Sequence, residues 1–183
     1  MQFFRRKNRT QNDAAAGATA EPQIPTSQRY ATVAFLEYLN AATCGSPANL
    51  ERYCHPRLLQ WYEKQNVTVQ EAKAQIAEFN RYWPRQHRKW HFDKMAVKRM
   101  TYPGQSTPSD DYYATIPFIW VGTNKHRSTK TADGILCAVV VKLADGKHWR
   151  IAAAYKDGTI ASNQNDATRL QQLRAKNPVA DPA

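Results

Sequence analysis

Three cysteines, seven glycines and the lack of any long apolar run set the first limits on this sequence of 183 residues. Cys44, Cys54 and Cys137 form no CxxC pair, and their odd number argues against a disulfide framework and against a zinc site. A Cys44–Cys54 bridge would require an oxidising compartment. The sequence also contains no glycine-rich phosphate loop. No stretch approaches the roughly 20 apolar residues that a membrane-spanning helix needs, so we expect no transmembrane segment.

Composition divides the chain into three parts. Residues 1–26 join a basic cluster to a stretch rich in alanine and proline with little to bury, which predicts a disordered basic tail. Residues 27–160 carry the apolar patterns of one domain, and 161–183 are polar, with a short helix expected around 166–176. The first basic cluster is not followed by an apolar segment, so no secretory signal is visible. We therefore expect a cytoplasmic protein, or a periplasmic one if an export signal was removed.

The balance of charge is strongly basic. The formal net charge is +11 and the sequence pI is about 9.7. A bias of this size indicates an anionic partner, which could be nucleic acid, an anionic membrane surface or an acidic protein.

The N-terminal half of the domain predicts helices. Apolar residues spaced by three and four positions predict a helix over 27–43, with Ser27 as its N-cap. The expected core-facing stripe is Thr32, Phe35, Leu36, Leu39 and Thr43. A second covered face is expected at Tyr30, Ala34, Tyr38 and Ala41. Gly45-Ser46-Pro47 breaks this helix and introduces a short second one through Tyr53.

The best-defined helix of the sequence begins at a capping box. In this arrangement Thr68 and Glu71 each satisfy a backbone amide that the start of a helix leaves free. A core-facing stripe then follows at spacings of three and four: Val69, Ala72, Ile76, Phe79 and Trp83. Pro84 ends the helix, because the residue before a proline is pushed out of helical geometry.

After Pro84 the apolar period changes to two, which predicts strands. Trp90, Phe92, Met95 and Val97 would share one face if a single-residue bulge lies near Asp93-Lys94. Three more strands are predicted over 112–120, 134–143 and 148–155. Pro117 in the first of these implies a sheet edge or a bulge. The fold class is therefore α+β, with three N-terminal helices packed on a curved antiparallel sheet.

This order of elements resembles the nuclear transport factor 2-like superfamily, also called SnoaL-like or cone fold. The local resemblance lies in the helix ending Phe79-Asn80-Arg81-Tyr82-Trp83-Pro84, followed by a long basic strand. The resemblance implies a conical pocket between sheet and helices and a homodimer formed through the outer sheet face. Both enzymes and non-catalytic binders share this fold. From it and from strand alternation, the expected pocket residues are Tyr38, Trp61, Phe79, Trp90, Tyr113 and Phe118.

Candidate chemistry is sparse. His91 and Asp93 could lie side by side on one strand face and act as a general acid–base pair, but a core-facing Trp90 would turn both outward. His87 and His91 would lie about 13 Å apart on a strand, which is too far for one metal ion. We expect no metal site and no cofactor.

Basic residues give the clearest indication of binding. Two clusters supply the predicted anion-binding residues: Arg81, Arg85, Arg88, Lys89, Lys125 and Arg127. Interleaved aromatic residues would suit single-stranded nucleic acid. We nevertheless expect a non-catalytic, homodimeric binding or assembly module for a protein partner or a small apolar ligand. The alternatives are a SnoaL-like isomerase or hydrolase with a small hydrophobic substrate, and a nucleic-acid-binding protein.

Overall fold

The computed structural model describes residues 24–43, 49–143 and 145–157, together with the isolated positions 168, 171 and 172. Most of both predicted tails therefore lies outside the described residues, as do Cys44 and the break at Gly45-Ser46-Pro47. Cys54 is a free, buried thiol whose pKa is raised to about 12 by burial. Within the described ranges, no helix is both long and apolar enough to cross a membrane.

Helix α1 spans Thr26–Thr43, close to the predicted bounds, but its buried face differs in part from the predicted one. Five positions of the helix are buried: Ala31, which was not predicted, and Phe35, Tyr38, Leu39 and Ala41, which were. Leu36 and Tyr30 were predicted to be covered and are instead 37% and 58% exposed. Ser27 lies within the first turn rather than at the N-cap, and its hydroxyl lies 2.6 Å from the hydroxyl of Tyr112. This contact ties the start of α1 to the sheet.

The next two helices end where the sequence predicts, but Phe79 of the predicted core-facing stripe is 41% exposed. The short helix α2 spans Leu50–Tyr53, and α3 spans Val69–Tyr82. The predicted capping box of α3 is present: the Glu71 amide donates to Thr68 Oγ1 at 3.2 Å, and the Thr68 amide donates to Glu71 Oε2 at 2.7 Å. These bonds satisfy donors that the first helical turn would otherwise leave free.

The capping box makes a prediction for stability. Thr68→Ala should lower the free energy of unfolding by about 1 kcal/mol, whereas Thr68→Ser should change it by only a few tenths. The backbone and side-chain hydrogen bonds from Thr68 lower the pKa of Glu71, so their stabilisation is present above the ordinary glutamate pKa and is lost as the pH falls through the folded value. Urea unfolding from pH 7 to pH 3 should show the wild-type advantage shrinking below about pH 4.3. An advantage that stays constant down to pH 3 would contradict this account.

Seven strands form one mixed sheet. They are β1 Arg57–Trp61, β2 Lys64–Thr68, β3 Arg85–Trp90, β4 Ala96–Arg99, β5 Tyr112–Thr123, β6 Thr129–Lys142 and β7 Trp149–Asp157. Their order is β2-β1-β7-β6-β5-β3, and β4 also pairs with β5. The strands β3 to β7 pair antiparallel as predicted, while β1 pairs parallel to β7. The hairpin of β1 and β2, between α2 and α3, was not predicted.

The predicted long strand after Pro84 is interrupted. A 3₁₀ turn at Phe92–Lys94 separates β3 from β4, so the proposed single-residue bulge is wrong and Phe92 is 55% exposed. Pro117 of β5 lies opposite this interruption. Its carbonyl accepts a hydrogen bond from the His91 amide at 3.0 Å. In an antiparallel pair the nitrogen and carbonyl of one residue point to the same neighbour, so the proline nitrogen, which has no N–H to donate, also points to this interruption. An internal strand therefore accommodates Pro117 because its neighbour is broken there.

Apolar side chains fill both faces of the sheet. The larger cluster lies between the inner face and the helices, and includes Phe35, Trp61 and Tyr112. The second cluster lies on the opposite face, where Met100 and Tyr102 of the β4–β5 connection join residues of the central strands. Outer-facing Ile119 and Val121 of β5 remain 38% and 37% exposed.

Candidate functional site

A cavity of about 560 Å³ lies between α1, α3, the start of β3 and the turn after β1. Of the predicted pocket residues, Tyr38, Trp61 and Phe79 line it. The sequence did not single out the remaining lining residues as a pocket: Ala42, Tyr62, Gln75, Ile76, Asn80, Trp83, Pro84, Gln86, His87 and Arg88. The sequence did indicate Ile76 and Trp83 indirectly, because it placed both on the same stripe of α3 as Phe79, which was a predicted pocket residue. The described lining residues include no aspartate and no glutamate.

The other three predicted pocket residues lie elsewhere. Trp90 and Phe118 are direct partners across β3 and β5, with ring centroids 5.6 Å apart, and they belong to the main core beside the cavity. Tyr113 lies in the second cluster on the opposite face of the sheet. The alternation of β5 explains this placement, because positions 113 and 118 differ by an odd number and so face opposite ways.

Two aromatic side chains of the lining, Phe79 and Trp83, pack against Trp120, which does not itself line the cavity. The Trp83 and Trp120 rings meet nearly at right angles with centroids 5.0 Å apart, and Phe79 lies 5.7 Å from Trp120. The indole N–H of Trp120 donates to Gln86 Oε1 at 3.0 Å, which fixes the orientation of the ring. Glycine is needed at position 122, because a Cβ there would clash with this ring at 2.2 Å from Trp120 Cζ2. These contacts tie Trp83 and Phe79, which is 41% exposed, to the sheet through Trp120.

Two polar groups at the cavity have no hydrogen-bond partner. Tyr38 Oη and Arg88 Nε are both buried and unpaired within the part of the chain that the structure describes. Burial raises the pKa of Tyr38 well above its ordinary value, while the nearby charge of Arg88 acts in the opposite direction. Tyr38 therefore stays a neutral hydroxyl at physiological pH. The Arg88 guanidinium lies over the rings of Trp90 and Phe118, 5.3 and 5.4 Å from their centroids.

The unpaired hydroxyl of Tyr38 makes a second prediction. Tyr38→Phe should raise the free energy of unfolding by about 1 kcal/mol, because a buried polar group without a partner costs stability. Tyr112→Phe is the matched control: it is equally buried, but its hydroxyl lies 2.6 Å from that of Ser27, so its loss should destabilise. Chemical unfolding of both variants measures the difference. Equal losses in the two variants would show that Tyr38 is satisfied in solution.

The predicted catalytic pair does not form a site. His91 follows the last residue of β3, and Asp93 is exposed in the 3₁₀ turn, so they do not share a strand face as expected. Neither lines the cavity. Over the described ranges, no three side chains of histidine, cysteine, aspartate or glutamate converge as metal ligands.

The two predicted basic clusters meet at one end of the sheet, except for Arg88, which turns inward to the cavity. The Lys125 amide donates to the Tyr82 carbonyl at 3.1 Å, and the Lys125 ammonium lies 5.8 Å from the Tyr82 ring. Arg85 pairs with Thr123 at the base of the same hairpin. Five of the predicted anion-binding side chains are exposed: Arg81, Arg85, Lys89, Lys125 and Arg127. We refer to Arg81, Tyr82, Arg85, Lys125 and Arg127 as the basic end.

No protein-family model and no curated protein matches this chain. Solved structures do match its fold. A nuclear transport factor 2-like superfamily protein from Salmonella enterica is 11% identical, with a TM-score of 0.56 over 75% of this chain and 94% of that one. An uncharacterised protein with a cystatin-like fold from Caulobacter vibrioides is also 11% identical, with a TM-score of 0.56 over 80% of this chain and 99% of that one.

A third similar structure carries a catalytic designation. It is a candidate scytalone dehydratase from Novosphingobium aromaticivorans, 11% identical, with a TM-score of 0.53 over 74% of this chain and 85% of that one. At such identities the likeness concerns the fold alone. The chain has the nuclear transport factor 2-like cone fold, an α+β arrangement in which the described residues form a mixed sheet with helices packed against it.

Proposed function

We propose that this cone-fold chain is a non-catalytic binding module whose cavity takes up a small, largely apolar ligand. The observation that carries the proposal is the cavity itself, with a volume of about 560 Å³ and walls formed by Trp61, Phe79 and Trp83. This volume falls in the range of small-molecule sites, and aromatic walls with a few polar groups are typical of them. Two of these rings, Phe79 and Trp83, are tied to the sheet through Trp120.

The alternative of an isomerase or hydrolase is supported less well. Such an enzyme needs a general acid or base within reach of its substrate. His87 is the single imidazole among the described lining residues, and no carboxylate accompanies it there. The candidate dehydratase among the similar structures shares only the fold with this chain. Turnover of a small substrate that is lost on His87→Gln would reverse this preference.

Ligand-observed NMR with neutral probes tests the proposal. Indole, 2-naphthamide and cyclohexanol should include at least one that binds saturably. Ile76→Trp should abolish this binding, because the new indole fills the cavity from α3. Val33→Trp is the matched control, since Val33 is 52% exposed on α1, and it should bind as wild type does. Binding that survives in the Ile76 variant, or binding of none of the probes, would refute the proposal.

A second candidate function is the binding of single-stranded nucleic acid at the basic end. The observation that favours it is the meeting of two sequence clusters around the Tyr82 ring, which is 43% exposed and could stack on a base. The four cations of the basic end (Arg81, Arg85, Lys125 and Arg127) form no ion pair within the described residues. Their charge is therefore available to phosphates.

Fluorescence anisotropy with an oligothymidylate between 50 and 300 mM salt tests this function. Replacing Arg85, Lys125 and Arg127 by serine should weaken binding and reduce the salt slope by about 2, since each lost contact to a single strand contributes about 0.7. The control replaces Lys64, Lys142 and Lys147, which carry the same total charge at other hairpins. Equal effects in both triple variants would show that binding depends on the net charge of the protein and not on the basic end.

We include a homodimer in the proposal, formed through the outer face of β5. The exposed side chains of Ile119 and Val121 support it, because they lie next to each other on the outer face of β5. The second cluster on the same face is already buried, so these two side chains remain as apolar surface for a partner. Light scattering at micromolar concentration should give twice the monomer mass, and Ile119→Lys should reduce it to the monomer value. A monomer mass for the wild-type protein would contradict the proposed homodimer.

A further inference from the structure

We infer that the ligand of the cavity carries a carboxylate group, which the guanidinium of Arg88 and the hydroxyl of Tyr38 bind together. This inference rests on the proposed function, because it names the chemical class of the ligand for the same cavity. Both groups line the cavity, and both have a buried donor atom, Arg88 Nε and Tyr38 Oη, that lacks a hydrogen-bond partner within the described residues. Buried donors in folded proteins are rarely left unpaired, so two at one cavity indicate an absent acceptor.

The charge at the cavity has one sign. Arginine remains protonated in proteins, and the described lining contains no carboxylate to balance Arg88. The ion pairs of the described residues all involve other cations. The Lys156 ammonium adds a further positive charge, 5.8 Å from the Phe118 ring on which Arg88 also lies. A partly desolvated cation without a counter-ion is costly, so an anionic ligand would relieve that cost.

Stacking fixes the orientation of the guanidinium. The rings of Trp90 and Phe118 hold the Arg88 plane, which leaves its Nε edge free of protein acceptors. A planar fork of N–H donors matches a carboxylate in a bidentate geometry. One guanidinium and one hydroxyl suit a single negative charge. The aromatic side chains of the lining would then contact the apolar body of the ligand.

Matched pairs of an anion and its neutral amide test the inference on the full chain at pH 7. Titration calorimetry with 2-naphthoate and 2-naphthamide should give at least tenfold tighter binding of 2-naphthoate, because a hydrogen bond to a charged group is stronger than a neutral one. Arg88→Met should remove this preference, so that 2-naphthoate and 2-naphthamide bind with equal affinity. Arg85→Met removes the same charge from the exposed face of the same strand and should leave both affinities within twofold.

The outcomes separate the inference from the proposed function. Equal binding of the two probes by the wild type overturns the carboxylate and leaves the cavity function intact. Binding of neither probe, together with no binding in the NMR test above, overturns both. Tighter binding of 2-naphthyl phosphate than of 2-naphthoate would replace the carboxylate with a phosphate. If Arg88→Met fails to fold, Tyr38→Phe decides: it should weaken 2-naphthoate severalfold and spare 2-naphthamide, and an unchanged preference would refute the role of Tyr38.

Discussion

Trp61→Ala is expected to lower the free energy of unfolding by about 3–5 kcal/mol, the range for removal of a buried aromatic side chain. The indole is 2% exposed, and its ring meets those of Tyr38 and Tyr62 edge-on at centroid distances of 6.3 and 5.3 Å. It anchors the end of β1 against α1 and also lines the cavity. The truncation therefore loses packing in the core and enlarges a cavity that already exists.

Urea unfolding followed by circular dichroism measures this loss. Trp61→Phe retains a ring at the same place and should cost less than half as much. A cost below about 1 kcal/mol for Trp61→Ala would show that the surrounding side chains collapse into the vacated space.

Gly122→Ala is the second large effect, because the new methyl group meets an immobile ring. Its Cβ would lie 2.2 and 2.4 Å from two carbons of Trp120, whose indole is held by Trp83, Phe79 and Gln86. The ring must move, and we expect a loss of about 1–3 kcal/mol, as for other overpacked sites. Ligand affinity at the cavity should fall as well, since the displaced ring packs against Phe79 and Trp83, which line it.

Gly134→Ala provides a matched control within the same sheet. Its Cβ would approach only the flexible end of Lys156, at 2.3 Å from Cε, and that side chain can move away. The control should be neutral or slightly stabilising, because alanine loses less conformational entropy than glycine on folding. In a Trp120→Leu background, Gly122→Ala should also become nearly neutral. A cost that persists there would assign the effect to the backbone of β5 instead of the indole.

The predictions that succeeded rest on interactions close in sequence. The capping box joins Thr68 to Glu71, and Pro84 ends the same helix, so every determinant of α3 lies within the segment itself. The strands β5 and β7 were found from alternation that extends over many residues, and β6 from its almost continuous apolar run over 134–143. Helix α1 was found with much of its buried face, but Leu36 and Tyr30 were wrongly placed on it, since the limits of that face depend on which strands the helix contacts.

The hairpin of β1 and β2 was missed because its turn carries no local signal. Tyr62 in the turn adopts a left-handed backbone conformation, with φ of 51°, where glycine is the usual residue. The Tyr62 amide donates to the carbonyl of Ala154 at 2.6 Å, so a strand far along the chain holds the turn in place. Such a constraint is invisible in a segment read by itself.

The candidate site was half predictable. Arg88 was grouped with the exposed basic residues, although it lies two positions before Trp90 and must share its face of β3. The alternation of side chains along β3 could therefore have placed Arg88 on the inner face. The meeting of Arg88 with Tyr38 was not predictable, because it depends on how closely α1 approaches β3. The same holds for Tyr82 and Lys125, which join two segments that no local pattern connects.

The interruption between β3 and β4 also bears on how the chain behaves at high concentration. β3 forms one border of the sheet, and it ends after six residues in a 3₁₀ turn. Its outward charges include Arg85 and Lys89. A short, charged and broken border offers a poor template for the strand of another molecule. The feature that accommodates Pro117 therefore also protects the protein against edge-to-edge aggregation.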